Sequence, residues 1–264
     1  AISSLSDKER KTGIVASSSG NHAQGVAEAA KLFDASATII MPSDAPKLKV
    51  ERTRSHGAEI VFYDRITGDR EGTARAVLEE KGGIFIHPFD NLEVIAGQGT
   101  VGLEMAEDFE ASGLVPDRVL VCTGGGGLTA GVALAMRDRF PDAIIHSVEP
   151  EGFDDYRRSL LSGNRETNEK KGGSVCDAII SPTPGELGFE INRYLLGEGI
   201  VISDDEAMAS VRFACEEMKL VLEPGGAAAL AGLLQAGKRW QGETIAIVLS
   251  GGNVDPEVFS RAMA

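Results

Sequence analysis

Arg118-Val119-Leu120-Val121-Cys122-Thr123-Gly124-Gly125-Gly126-Gly127-Leu128-Thr129-Ala130-Gly131-Val132-Ala133-Leu134-Ala135-Met136 is the stretch that decides the fold. Arg118 to Thr123 is a short apolar run of the kind buried in a parallel sheet. Leu128 to Met136 carries small apolar residues and reads as a helix packed on that strand. Four glycines stand between them. N–H groups without side chains to shield them, at the positive end of a helix, can converge on an anion, and a phosphate suits them. A glycine run is costly in chain entropy, which argues against a bare linker. A tight structural turn is the competing reading.

Outward from this stretch the pattern repeats. Gly13 to Ser17, Ala37 to Met41, Glu59 to Tyr63 and Gly83 to Ile86 read as strands, with helices over Asn21 to Phe33, Lys47 to His56 and Asp69 to Lys81. A helix near Gly99 to Glu110 precedes the Arg118 strand, and Ala143 to Val148 follows the glycine helix as another strand. Glu186 to Leu196, Asp204 to Leu220 (with Asp204 or Asp205 as its cap) and Gly225 to Gln235 are expected helices, and Thr244 to Leu249 a final strand. Glu151 to Pro184 reads as a long irregular segment, the kind of loop that tends to carry function. Alternating strands and helices predict an α/β fold with parallel sheets and helices on their faces.

Composition narrows the function. The 264 residues are 42% hydrophobic and 25% charged, as in a soluble globular protein. A net charge of −14 argues against nucleic acid or an anionic membrane as partner. No apolar run approaches a membrane span, and the N-terminus has no signal-peptide pattern. Cys122, Cys176 and Cys215 lack metal spacing and read as reduced thiols of a cytoplasmic protein.

Three strand ends carry candidate chemistry. Ser17-Ser18-Ser19-Gly20-Asn21-His22 gathers hydroxyls, an amide and free N–H groups at the edge where open α/β sheets bind ligands; a helix N-cap by Ser19 needs only one of these serines. Ser250-Gly251-Gly252-Asn253 is a further glycine turn, explained equally by a turn or by a ligand held through Ser250. Glu149, Glu151, Asp154 and Asp155 cluster after the strand ending at Val148, where they suit a hard cation or a solvated acidic loop.

Taken together and in this order, Ser18-Ser19-Gly20-Asn21-His22-Ala23-Gln24-Gly25, Gly124-Gly125-Gly126-Gly127-Leu128, Glu223-Pro224 and Ser250-Gly251-Gly252-Asn253 resemble the pyridoxal-phosphate enzymes of fold type II, in particular the threonine/serine dehydratases and serine racemases. The resemblance runs from near Ala1 to Asp255. It implies two αβα domains with parallel sheets: a smaller, substrate-clamping one over 13–90, and a larger, cofactor-binding one over 1–12 and 91–264. Gly124, Gly125, Gly126 and Gly127 would hold the phosphate of pyridoxal 5'-phosphate, with Leu128 closing the loop. Asn21 would bond the cofactor's ring hydroxyl, Ser250 its pyridine nitrogen, and Glu223 belongs to the same cofactor-binding set. Ser18, Ser19, Asn21 and His22 would clamp the substrate carboxylate. Ser19 matches the residue that exchanges a proton in the racemases. Glu149, the Phe153 carbonyl and Asp155 would bind Mg2+, Mn2+ or Ca2+.

The implied reaction is deamination of L-threonine or L-serine to a 2-oxo acid. Serine racemase and hydroxyaspartate dehydratase are the alternatives within the family, and a homodimer or homotetramer is the expected assembly. The family's cofactor lysine is expected just upstream of Ala1; Lys8, Lys11, Lys47 and Lys49 do not stand in its context. The larger domain is therefore expected to be incomplete at its N-terminus. The end soon after Asp255 points to the catabolic type without a regulatory domain. Two other readings compete. Gly125 to Ala130 fits G-x-G-x-x-A, with Glu149 where the ribose acid of an NAD-dependent dehydrogenase belongs. A lysine-less, non-catalytic fragment binding a phosphate ligand is the other.

Overall fold

The structure is a computed structural model that describes residues 1–18, 20–45, 47–64 and 66–264. The chain forms two compact units, Ala1–Glu93 and Val94–Ala264. In the first, β1 (Ile14–Ser17), β2 (Ala37–Pro42), β3 (Glu59–Tyr63) and β4 (Ile84–Ile86) pair in parallel in the order β3-β2-β1-β4. A short helix, α1 (Asp7–Arg10), precedes them. Between the strands run α2 (Asn21–Leu32), α3 (Lys47–Ser55) and α4 (Arg70–Lys81). β1 is buried at all four positions, as a central parallel strand covered on both faces must be.

The second unit repeats the plan. β5 (Arg118–Cys122), β6 (Ile144–Pro150), β7 (Ile200–Ile202) and β8 (Ile245–Ile247) form a parallel sheet in the order β7-β6-β5-β8. Its helices are α5 (Leu92–Ser112), α6 (Gly127–Arg139), α7 (Asp155–Ser162), α8 (Glu186–Leu195), α9 (Asp204–Phe213), α10 (Pro224–Ala236) and α11 (Pro256–Met263). Small residues let α5 and α6 approach closely: Gly99 lies against the backbone of Gly131, and Gly102 against Val132 and Ala135. One core cluster joins Val119, Val121, Val132, Met136 and Ile145, and a second joins Leu120, Val148, Ile202, Ala228 and Trp240.

In each sheet the strand order reverses at one strand, β1 in the first and β5 in the second. Ligands of open α/β sheets bind at the carboxyl ends of such strands. Ser18–His22 follows β1, and the tetraglycine run follows β5. Topology thus places the two strongest sequence motifs at the two switch points.

Several boundaries and elements differ from expectation. The irregular segment Glu151–Pro184 contains α7, and β7 and α11 went unread. The cap of α9 is Ser203, not Asp204 or Asp205: its hydroxyl accepts from Glu206 N–H while Glu206 reaches back, a capping box. The last turn of that helix widens into a π-turn over Ala214–Met218 and ends at Lys219 in the left-handed region (φ 59).

Candidate active site

The tetraglycine turn has a supported and an unsupported side. Gly126 is the N-cap of α6 with φ +90, and no side chain caps the helix. Its carbonyl accepts from Ala130 N–H at 2.8 Å and from Asn192 Nδ2 at 3.2 Å. The Gly125 carbonyl accepts from Gly185 N–H at 2.9 Å. Asn192, fully buried on α8, also donates to Tyr156 Oη at 3.1 Å. A Cβ on Gly126 would run into the Tyr156 ring and hydroxyl, so glycine is required there by crowding as well as by φ. The carbonyls are tied to α7 and α8, whereas the N–H groups of Gly124 to Leu128 have no acceptor among the described residues. Uncapped N–H groups at a helix N-terminus suit a dianionic phosphate. The residues present fit the phosphate of the implied cofactor.

Beside this turn, just past the neighbouring strand β8, the chain reaches Ser250. Its Oγ lies 2.9 Å from Cys122 Sγ, at the end of β5. Glu223, 1% exposed, is the N-cap of α10, and its N–H donates to the Gly251 carbonyl at 3.0 Å. A Cβ on Gly226 would strike Gly251 backbone atoms, so the first turn of α10 packs directly on the Ser250–Gly251 turn. Gly124–Leu128, Glu223 and Ser250 are thus gathered within one unit, at one sheet edge. Burial pushes the Cys122 thiol up to about 11, and the Glu223 charge adds to the push while Ser250 opposes it.

In the other unit, Ser18 N–H donates to the Ile40 carbonyl at 3.0 Å, and Ser18 Oγ accepts from Gly20 N–H at 3.2 Å. Gly20 is the N-cap of α2, without a side-chain cap bond, and Asn21, the first helical residue, is exposed. His22 Nε2 meets the Ile86 carbonyl at 3.4 Å. A carbonyl only accepts, so Nε2 carries the proton. Burial pushes the His22 imidazole down to about 4; it is neutral, and its main-chain N–H rather than its ring is what a carboxylate at the turn would meet. Ser19, assigned both to the clamp and to proton exchange, lies outside the described residues. Lys49, placed by sequence on a polar helix, is 3% exposed, with its chain packed on Gly20.

The acidic loop is mostly internal. Glu149 is fully buried; Oε1 accepts from Tyr156 N–H and Oε2 from Arg157 N–H, both at 2.8 Å. Burial, reinforced by the Asp155 charge, holds its carboxyl well above the usual carboxylate range. Asp155, 1% exposed, accepts from Asn168 Nδ2 through Oδ1, while its Oδ2 is buried without a partner. Burial pushes its carboxyl up to about 7. Phe153, also buried, anchors the loop between them. Among the described residues, no group of three or more His, Cys, Asp or Glu side chains is placed to hold a metal ion. The same geometry counts against the dehydrogenase alternative: Glu149 is fully buried beneath α7, not exposed at the strand end as a ribose-binding acid is.

Sequence reasoning missed Cys122, Tyr156 and Asn192 as parts of this site. Cys122 was legible in position, two residues before the glycines, but its contact with Ser250 depends on β5 pairing with β8. Nothing local marks Tyr156 or Asn192, which reach Gly126 from other helices.

Pyridoxal-phosphate-dependent enzymes as a family match residues 1–251 of this chain. An L-threo-3-hydroxyaspartate ammonia-lyase of a Pseudomonas species is 41% identical over 260 residues, covering 98% of this chain and 80% of that protein. The crystal structure of a threonine deaminase from T.th. superposes with a TM-score of 0.89 at 40% identity, covering 96% of this chain and 80% of that one. Maize serine racemase gives a TM-score of 0.90 at 35% identity, covering 99% and 79%. The chain belongs to the pyridoxal-phosphate-dependent enzymes, with the fold type II architecture of threonine deaminase and serine racemase. Among the described residues no helix is long and apolar enough to cross a membrane.

Proposed function

We propose that this protein is an ammonia-lyase that converts a 3-hydroxy amino acid to a 2-oxo acid and ammonia. The observation that carries the reading is the neutral hydroxyl of Ser250 at the same sheet edge as the tetraglycine turn. A hydroxyl facing the pyridine nitrogen leaves that nitrogen unprotonated. A neutral Ser250 in that position would favour loss of a β-substituent over transamination. When bound, pyridoxal phosphate supplies the ring that draws electron density from the substrate's Cα.

The chain's own residues bind and orient. N–H groups of Gly124 to Leu128 would hold the phosphate, helped by the positive end of α6. Ser250, with Glu223 beneath the turn, would fix the ring nitrogen. Asn21 would meet the ring hydroxyl, and Ser18, Ser19 and the N–H groups of Asn21 and His22 the substrate carboxylate. In this reading residues 13–90 clamp the substrate, and residues 1–12 and 91–264 hold the cofactor.

Relatives acting on hydroxyaspartate, threonine and serine define the substrates to try. Full-length protein loaded with cofactor is given L-threonine, L-serine and L-threo-3-hydroxyaspartate, and 2-oxo acid and ammonia are measured together. The reading predicts equal amounts of both from at least one. Absence of oxo acid with accumulation of the D-isomer overturns it in favour of a racemase.

A divalent cation beside Glu149, the Phe153 carbonyl and Asp155 is part of the proposal. Two buried carboxyls held above their usual range, one with an unpartnered oxygen, are a donor set that Mg2+, Mn2+ or Ca2+ would relieve. Three free thiols, two of them buried, support a reducing, cytoplasmic setting. Assembly as a homodimer or homotetramer belongs to the same proposal.

A further inference from the structure

We infer that Cys122 is a positioning residue for the cofactor ring: its thiol donates to Ser250 Oγ, 2.9 Å away, and so turns the Ser250 proton outward toward the pyridine nitrogen. The inference rests on the reading of Ser250 given above.

A serine hydroxyl has one proton, so its bond with the thiol can run in two directions. If Ser250 donates to sulfur, a lone pair is left facing the ring, and only a protonated pyridine nitrogen can use it. If Cys122 donates to Ser250, the hydroxyl proton is free for an unprotonated nitrogen. A pyridine nitrogen is a better acceptor than a thiol sulfur, and an O–H is a better donor than an S–H. The chain S–H to O–H to nitrogen therefore pairs the stronger donor, the O–H, with the stronger acceptor, the ring nitrogen, and consecutive bonds reinforce one another.

Surroundings favour that direction. Cys122 is 3% exposed at the end of β5, whereas Ser250 stands at the open edge of the sheet. The thiol keeps its proton across the physiological range, with the nearby Glu223 charge opposing its loss. The hydroxyl thus has a permanent donor behind it and open space ahead. Cys122 would in this way set the protonation state of the ring, and with it the choice of elimination over other outcomes, without touching substrate.

The test compares cofactor-loaded full-length protein with its C122A, C122S and S250A variants, by the cofactor's visible absorption, by kcat and KM, and by the Raman S–H stretch of Cys122. The Cys122 stretch should shift when cofactor is loaded into the wild type and not when it is loaded into S250A. C122A should displace the absorption band and lower kcat by about 2- to 10-fold, the effect of one net hydrogen bond, with KM little changed. C122S, which retains a donor, should restore both. An unmoved S–H stretch in the wild type overturns the inference, as does a C122A enzyme with wild-type spectrum and kcat, or a C122S enzyme that behaves like C122A. A normal spectrum in S250A overturns the Ser250 reading itself; a displaced spectrum in S250A with C122A unaffected overturns only the role of Cys122.

Discussion

Cys122 Sγ and Ser250 Oγ are 2.9 Å apart although 128 positions separate them in the chain. Parallel pairing of β5 with β8 brings them together, and the same pairing sets Ser250 beside the tetraglycine turn. In the reading proposed above, a cofactor phosphate and a cofactor ring nitrogen would thereby find partners at one sheet edge.

Replacing the neutral partner by a charged one should change the chemistry. Ser250→Asp would protonate the ring nitrogen, and hydrogen bonds to charged groups are worth about 1.5–3 kcal/mol. Oxo-acid formation should fall by roughly tenfold or more, while conversion of the cofactor to its amine form, followed by absorbance, should rise. Unchanged partitioning would remove the argument that a neutral Ser250 selects elimination.

Gly126→Ala places a side chain at φ +90 and against Tyr156. The left-handed conformation alone costs about 1–2 kcal/mol for an L-residue, and the clash adds to it. Cofactor affinity, titrated by fluorescence quenching, should weaken by about tenfold or more. Wild-type affinity would mean that the phosphate is held elsewhere.

His22 gives a pH signature. Its folded value is lowered from 6.5 to about 4 by burial. Between those values the unfolded chain binds more protons than the fold, so the stability contributed by neutral His22 is complete above about 6.5 and lost as pH falls through about 4. An NMR titration of the His22 ring should have its midpoint near 4. A midpoint near 6.5 would show the ring open to solvent and available to a carboxylate.

Burial of Glu149 and Asp155 predicts a response to cations. A ligand at about 100 times its Kd stabilises a fold by about 2.7 kcal/mol. Mg2+, Mn2+ or Ca2+ should therefore raise the melting midpoint of the full-length protein by several degrees, and Asp155→Asn should abolish the rise. Identical midpoints with and without cations would leave the pair a structural feature only.

Local pattern made most of this fold legible. β3 spans Glu59–Tyr63, as its run of β-branched and aromatic residues indicates, and α2 and α8 end within a residue of expectation. Where the signal was short or amphiphilic it failed. β7 has three residues, and α7 is a polar stretch whose inner face is formed by Asp155, Tyr156 and Ser159, two of them polar. Lys49 reads as a surface residue because no local rule says that α3 turns it toward Gly20. At the candidate site, Gly124–Gly127 and Ser250 were visible because glycine runs directly after a buried strand are unusual. Tyr156 and Asn192 were not, since ordinary residues on other helices supply the support.

A crystal structure of the cofactor-loaded, full-length protein tests the central claim most directly. The account predicts phosphate oxygens within hydrogen-bonding distance of the N–H groups of Gly124 to Leu128, and the pyridine nitrogen within the same distance of Ser250 Oγ. A phosphate seated away from that turn, or a ring nitrogen facing a carboxylate instead of Ser250, would contradict it.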